Sequence, residues 1–205
     1  MRKLITVKIN GEERQYPQGA TYEDVANDYQ QEYENLIALA ARDGKIRELF
    51  KKLTRDCEVT FFTLKDDVGN KTYVRCATML FLKAVFDVYG REAAQSCRVE
   101  FAIGNGSYIS PKGKINATEE NAAKIRNRMR ELVDAKTPFL KRSYSLDNAM
   151  ELFRKEGMKD KEKLFRYRRG SFVNIYEMDG YYDYYYGYML PNAGYVKWFD
   201  VIAYE

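Results

Sequence analysis

The sequence predicts an α+β protein in two units. Three observations carry that prediction. The first sixty residues read as hairpin, helix, hairpin and strand. A nearly unbroken apolar helix follows, and then amphipathic helices alternate with short strands.

In the first unit Ile5, Val7 and Ile9 alternate with Leu4, Thr6 and Lys8, which is the period of a half-buried strand. Asn10-Gly11 marks a hairpin turn, because both residues tolerate positive φ. Gln15-Tyr16 belongs to the returning strand. Thr21 is a helix N-cap, with Asp24 three residues on, as in a capping box. Tyr22, Val25, Ala26 and Tyr29 form that helix's apolar stripe. Residues 36–41 read as a buried strand, Asp43-Gly44 as a second hairpin turn and 45–49 as the return. Residues 57–61 close the sheet. Hairpin, helix, hairpin, strand is the order of a small ubiquitin-like β-grasp.

Residues 66–70 are polar and turn-prone, and the domain boundary is placed there, giving domains 1–65 and 66–205. From 72 to 89 the chain is apolar enough for a buried helix, stopped by Gly90. Val99, Phe101 and Ile103 alternate as a strand, Gly104-Asn105-Gly106 interrupts it, and Tyr108-Ile109 resumes. Thr118 caps a helix with Ala122, Ile125, Met129, Leu132 and Val133 on one stripe. Lys124, Arg126, Arg128 and Arg130 occupy its other faces, as a solvated surface or as contacts to RNA phosphate. Ser145 caps a third helix, and a short basic helix covers 159–167. Strands are expected at 172–176, 184–190 and 195–204.

Composition excludes much chemistry. The 205 residues contain no histidine, which removes Ser-His-Asp and Cys-His catalysis and every histidine-bearing zinc site. Cys57, Cys76 and Cys97 lack metal-site spacing and read as reduced, buried thiols of a cytoplasmic protein. No apolar run approaches the ~18–20 residues of a membrane span, and Met1–Leu4 leads into a strand rather than a signal peptide. A net charge of +4 does not by itself mark a nucleic-acid binder. Residues 141–169 hold ten Lys/Arg, whereas 170–205 hold one Lys and nine of the 18 tyrosines.

Two stretches of the first unit, VKINGEERQYPQGATYEDVA and NLIALAARDGKIREL, resemble the TGS domain, a regulatory or RNA- and ligand-contacting module without catalytic residues. The second unit resembles the editing-type second additional domain of threonyl- and alanyl-tRNA synthetases. VRCATMLFLKAVFDVYG, VEFAIGNGSYIS, TEENAAKIRNRMRELVDAKTPFLKRSYSLDNAMELFRKEG and FVNIYEMDG carry that resemblance. It implies an α/β sandwich whose HxxxH and CxxxH pairs fall here on Arg75 and Met79, then on Tyr176 and Gly180. Arginine cannot be deprotonated to bind zinc, methionine is a poor zinc ligand and glycine has no side chain. No metal and no catalytic residue are therefore expected. The mouth of the degenerate pocket would be Arg75, Asn105, Tyr108, Tyr176 and Asp179. Arg75 could hold a phosphate or carboxylate there, or pair with an aspartate. Asp179 and Asp183 are the remaining carboxylate pair near that pocket, as acid–base groups or as turn residues.

The joined architecture, with LFRYRRGSFVNIYEMDGYYDYYYGYMLPNAGYVKWFD, resembles the N-terminal half of bacterial nucleoside kinases related to uridine kinase and phosphoribulokinase. That implies an accessory, non-catalytic region, with ATP and Mg²⁺ belonging to a kinase domain that follows; no GxxxxGK[ST] is present here. The alternative is a stand-alone RNA- or small-ligand-binding module. Alternation over the tyrosine run would put Tyr182, Tyr184, Tyr186 and Tyr188 on one face, to pack in a sheet with hydroxyls at its rim, to stack on a base or nucleoside, or, at Tyr184, Tyr186 and Tyr188, to meet the kinase domain or a second subunit.

Overall fold

A computed structural model describes residues 4–104 and 106–204. The chain is mixed α and β and packs as two compact units, residues 1–76 with 186–191, and residues 77–185 with 192–205.

The first unit is a five-stranded sheet with a helix. Strands β1 (Leu4–Ile9) and β2 (Glu12–Pro17) form a hairpin, helix α1 (Tyr22–Tyr29) follows, and β3 (Ile37–Arg42) and β4 (Lys45–Glu48) form a second hairpin. Strand β5 (Cys57–Thr63) lies between the hairpins, parallel to β1 and antiparallel to β3, giving the order β2-β1-β5-β3-β4. The turns are those the sequence demands, with φ of 51° and 89° at Asn10-Gly11 and 49° and 76° at Asp43-Gly44. Ile5, Val7 and Ile9 are buried, as are Val25 and Ala26 of α1 and the apolar run of β3. Thr21 and Asp24 make the reciprocal capping box.

Residues 66–70 do not form a linker. Helix α2 (Asp67–Tyr89) starts at once. The Asp66 carbonyl accepts the Asn70 N–H at 2.8 Å, while the Asp66 carboxylate accepts the Thr63 N–H at 2.7 Å and tightens the turn out of β5. Asp67 sits at the helix's positive end. The division between the units falls inside this helix, after Cys76.

In the second unit α2 ends at Gly90, whose φ is 86°, and helix α3 (Arg91–Ser96) follows. Among the described residues strands β6 (Arg98–Ile103) and β7 (Gly106–Ser110) pair only with each other, and β6 is exposed along its whole length. Helix α4 (Glu119–Asp134) buries Ala122, Ile125, Met129 and Leu132, the stripe read from the sequence. Strand β8 (Leu140–Ser145), helices α5 (Leu146–Lys155) and α6 (Lys159–Arg166), and strands β9 (Phe172–Met178) and β10 (Tyr181–Asp183) complete it as a sheet of order β10-β9-β8. Ala149, Phe153, Met158, Phe165, Val173 and Ile175 form the core between these helices and the sheet.

The strands expected at 184–190 and 195–204 are absent. The backbone N–H of Tyr184 donates to its neighbour's carboxylate, Asp183 Oδ1, at 2.7 Å instead of to a strand. Gly187 takes a φ of 131°, Pro191 has no N–H, and Ala193–Tyr195 is a turn of 3₁₀-helix capped by Asn192. No helix among the described residues is long and apolar enough to cross a membrane.

Candidate functional site

In the first unit, helix α2 presents Arg75 and Cys76 to the segment 187–190. Arg75 Nη1 donates to the Tyr188 carbonyl at 2.6 Å. Its guanidinium lies against the bare Cα of Gly187, where a Cβ would meet Arg75 Cζ at 2.7 Å. The Leu190 N–H lies 3.2 Å from Cys76 Sγ, Met189 Sδ is 3.8 Å from the same sulfur, and the Met189 N–H donates to Glu48 Oε1 at 3.3 Å. Arg75, at the first of the positions that the resemblance gives to metal ligands, is therefore engaged by the chain's own backbone. Burial pushes the Cys76 thiol up to about 12, so it is not a nucleophile at neutral pH. Burial also raises Cys97, to about 11, and Cys57.

Three other expected pocket residues belong to the second unit and serve its packing. The Tyr108 ring stacks on Phe101 with centroids 5.1 Å apart and meets Tyr204 edge-on at 6.0 Å. Tyr176 is buried within β9, with Lys141 Nζ 5.4 Å from its ring centroid. Asp179 and Gly180, with φ of 44° and 78°, form the tight turn between β9 and β10. Asn105 lies outside the described residues.

The partner of Asp179 is a residue that sequence reasoning did not select, Lys83. This lysine is 2% exposed within α2. Its Nζ donates to the Asp179 carbonyl at 2.6 Å and lies 3.3 Å from Asp179 Oδ2 and 2.8 Å from Asp87 Oδ1. Asp87 also accepts from Arg128 Nε at 2.9 Å, and Arg128 reaches Glu131 at 2.7 Å. The available signal was a lone charge amid an apolar helical run, which needs a buried counter-charge.

Asp183 is the other buried charge among the described residues of the second unit. Its Oδ1 accepts from the Tyr184 N–H and lies 3.2 Å from Lys161 Nζ, and its Oδ2 accepts from the Tyr181 hydroxyl at 3.5 Å. Burial raises this carboxyl despite the lysine, and the Tyr181 hydroxyl is raised by burial and by Asp183. A carboxyl raised in the folded state keeps a proton that the unfolded chain has released. Its stabilising contribution is complete below the ordinary carboxylate pKa of ~3.9 and is lost as pH rises through the folded value. Relative to Asp183→Asn, the parent chain should therefore lose stability from pH 4 to pH 7. Urea melts of both at unit pH steps measure this, and a pH-independent gap between them refutes it.

Of the tyrosines expected at an interface, Tyr184 packs edge-on to Phe165 at 5.0 Å under Arg168, whose guanidinium donates to its hydroxyl. Tyr186 is 86% exposed. Tyr188 is half-buried and supplies the carbonyl to Arg75. They share no strand face, because no strand forms there. Among the described residues no group of three or more His, Cys, Asp or Glu could hold a metal ion.

No protein-family model matches the chain. It is similar along nearly its whole length to the threonine–tRNA ligases of several bacteria. It is 28% identical to that of Thermotoga neapolitana over 208 residues, covering 98% of this chain and 31% of the relative. It is 24% identical to that of Porphyromonas gingivalis strain W83 over 194 residues, covering 92% and 29%. It is 25% identical to that of Symbiobacterium thermophilum over 205 residues, covering 99% and 31%. The chain thus spans under a third of the length of these relatives. Nothing in them supports a nucleoside kinase parent.

Proposed function

We propose that this chain is a catalytically silent binding module on the scaffold of the N-terminal region of threonine–tRNA ligases, a TGS-like β-grasp followed by an editing-like domain. One observation carries the proposal. Similarity to those ligases runs along nearly the whole chain, yet the chain contains no histidine. Hydrolysis of the editing type needs His and Cys side chains that bind a metal or activate water, and arginine and methionine stand at the first pair of positions. Support for the β-grasp comes from the order β2-β1-β5-β3-β4 with its central parallel pair. Occupation of Arg75 and Cys76 by residues 187–190 supports a site closed by its own chain. The test has two parts. Purified chain, washed with chelator and given zinc, is expected to retain no stoichiometric metal. Given mischarged aminoacyl-tRNA, it is expected to release no amino acid above a contaminant control. Turnover or retained zinc overturns the reading.

A second reading starts from the resemblance of the tyrosine-rich segment to nucleoside kinases, although the similarity to the ligases also runs through that segment. In it the chain is the accessory region of such a kinase, its tyrosines meet the catalytic domain or a second subunit, and ATP and Mg²⁺ bind elsewhere in the parent. A Walker loop encoded after residue 205 in the parent gene would establish it.

A further inference from the structure

A groove of about 460 Å³ opens at the C-terminal end of α4, within the second unit. Arg130, Lys136 and Lys197 line it, with Asp134 the one carboxylate among its lining residues. Val133, Phe199 and Gly194 complete the lining. Three cations against one carboxylate leave a net charge of +2. The volume lies in the ~300–1,000 Å³ range of small-molecule sites.

The neighbouring cations of α4 are neutralised where they stand. Lys124 pairs with Glu120 at 2.6 Å, Arg126 with Asp200 at 2.9 Å and Glu119 at 3.1 Å, and Arg128 with Asp87 at 2.9 Å. Arg130, Lys136 and Lys197 make no ion pair with any described carboxylate. Asp200 feels the charge of Arg130, but its carboxylate is held by Arg126. Positive charge has thus been left unpaired around one concave surface.

The placement of Lys136 points the same way. It follows the Ala135 cap of α4 with a φ of 49°, the Lys136 N–H donates to Val133 O at 2.9 Å, and the Thr137 N–H donates to Leu132 O at 3.1 Å. This is a Schellman cap, and its left-handed residue is usually glycine because a side chain costs energy there. Here a lysine bears that cost. Its stem lies against Gly194, where an added Cβ would meet Lys136 Cγ at 3.0 Å. Helix termination does not call for the ammonium, whereas an anion in the groove does.

We infer that this groove binds a nucleoside 5′-monophosphate. A phosphate monoester carries a charge of about −1.5 to −2 at neutral pH, which matches the groove. Phe199 and Val133 offer the base an apolar surface. The groove is lined by none of the residues on which the proposed function rests, and the inference does not depend on it.

The experiment is calorimetric titration of the chain with the four common ribonucleoside 5′-monophosphates at low ionic strength. At least one should saturate a single site. The matching unphosphorylated nucleoside and inorganic phosphate should each bind at least tenfold more weakly. Arg130→Gln and Lys136→Gly should each weaken the monophosphate at least tenfold. Lys136→Gly restores the residue that the cap favours, so its melting temperature should hold or rise, and lost binding is then not lost folding. Absence of saturable binding, equal affinity for inorganic phosphate, binding only to an RNA strand, or affinity unchanged in both variants overturns the assignment.

Discussion

Gly69→Ala should lower the stability of the chain by about 2–4 kcal/mol, although alanine is the better helix former by about 1 kcal/mol. Gly69 lies in the first turn of α2, where the helix starts against the end of β5. A Cβ there would stand 2.0 Å from the Thr63 carbonyl oxygen and 2.8 Å from its carbon. The obstacle is backbone and cannot rotate away. That carbonyl also accepts the Asp66 N–H at 3.1 Å, so moving it opens the turn that starts the helix. For a chain of this length the loss corresponds to a fall in Tm of very roughly 5–15 °C. Asn70→Ala is the control, since Asn70 is exposed in the same turn and should change Tm little. Equal melting temperatures for Gly69→Ala and the parent would show that α2 need not start so close to β5.

That same turn shows what was legible in the sequence and what was not. The first unit was readable because its signals are local. Asn10-Gly11 and Asp43-Gly44 specify their turns, Thr21 and Asp24 specify a cap, and alternation assigns the buried face of β1. Asp66–Asn70 read as a linker because Asp, Gly and Asn favour turns in isolation. Asp66 instead caps backward onto Thr63, and Gly69 is used for close approach, which only the tertiary structure reveals. Strand β8 escaped notice because Leu140–Ser145 carries one aliphatic residue, and its pairing with β9 is visible only in three dimensions. In the tyrosine run, by contrast, strand propensity was overridden. Asp183 takes the N–H of Tyr184, Gly187 bends the chain against Arg75, and Met189 and Leu190 are buried beside Cys76. Arg75 was legible as a candidate by its position on the helix, but its carbonyl partner on Tyr188 was not, because backbone acceptors leave no mark in a sequence.

Lys83→Met should cost about 2–3 kcal/mol, the second large effect, and Lys83→Arg should not rescue it. The ammonium of Lys83 has three donors, and three acceptors stand around it: the Asp179 carbonyl, the Asp179 carboxylate and the Asp87 carboxylate. Methionine fills nearly the same volume, so little of the loss is cavity. What remains is the desolvation of groups left behind. Asp87 keeps Arg128 at 2.9 Å, and the exposed Asp179 carboxylate returns to water. The Asp179 carbonyl loses its donor in a turn already held at a φ of 44°. The effect should therefore fall below the 3–5 kcal/mol of a pair with one partner wholly orphaned. A guanidinium is broader than an ammonium, and a site that leaves Lys83 2% exposed has no room for it. In Lys83→Met/Asp87→Leu both charges go, so the double variant should be more stable than the sum of the single losses. Urea melts of the four chains measure each term. Parent-like stability of Lys83→Met would show that the buried lysine does not hold the β9–β10 turn to α2.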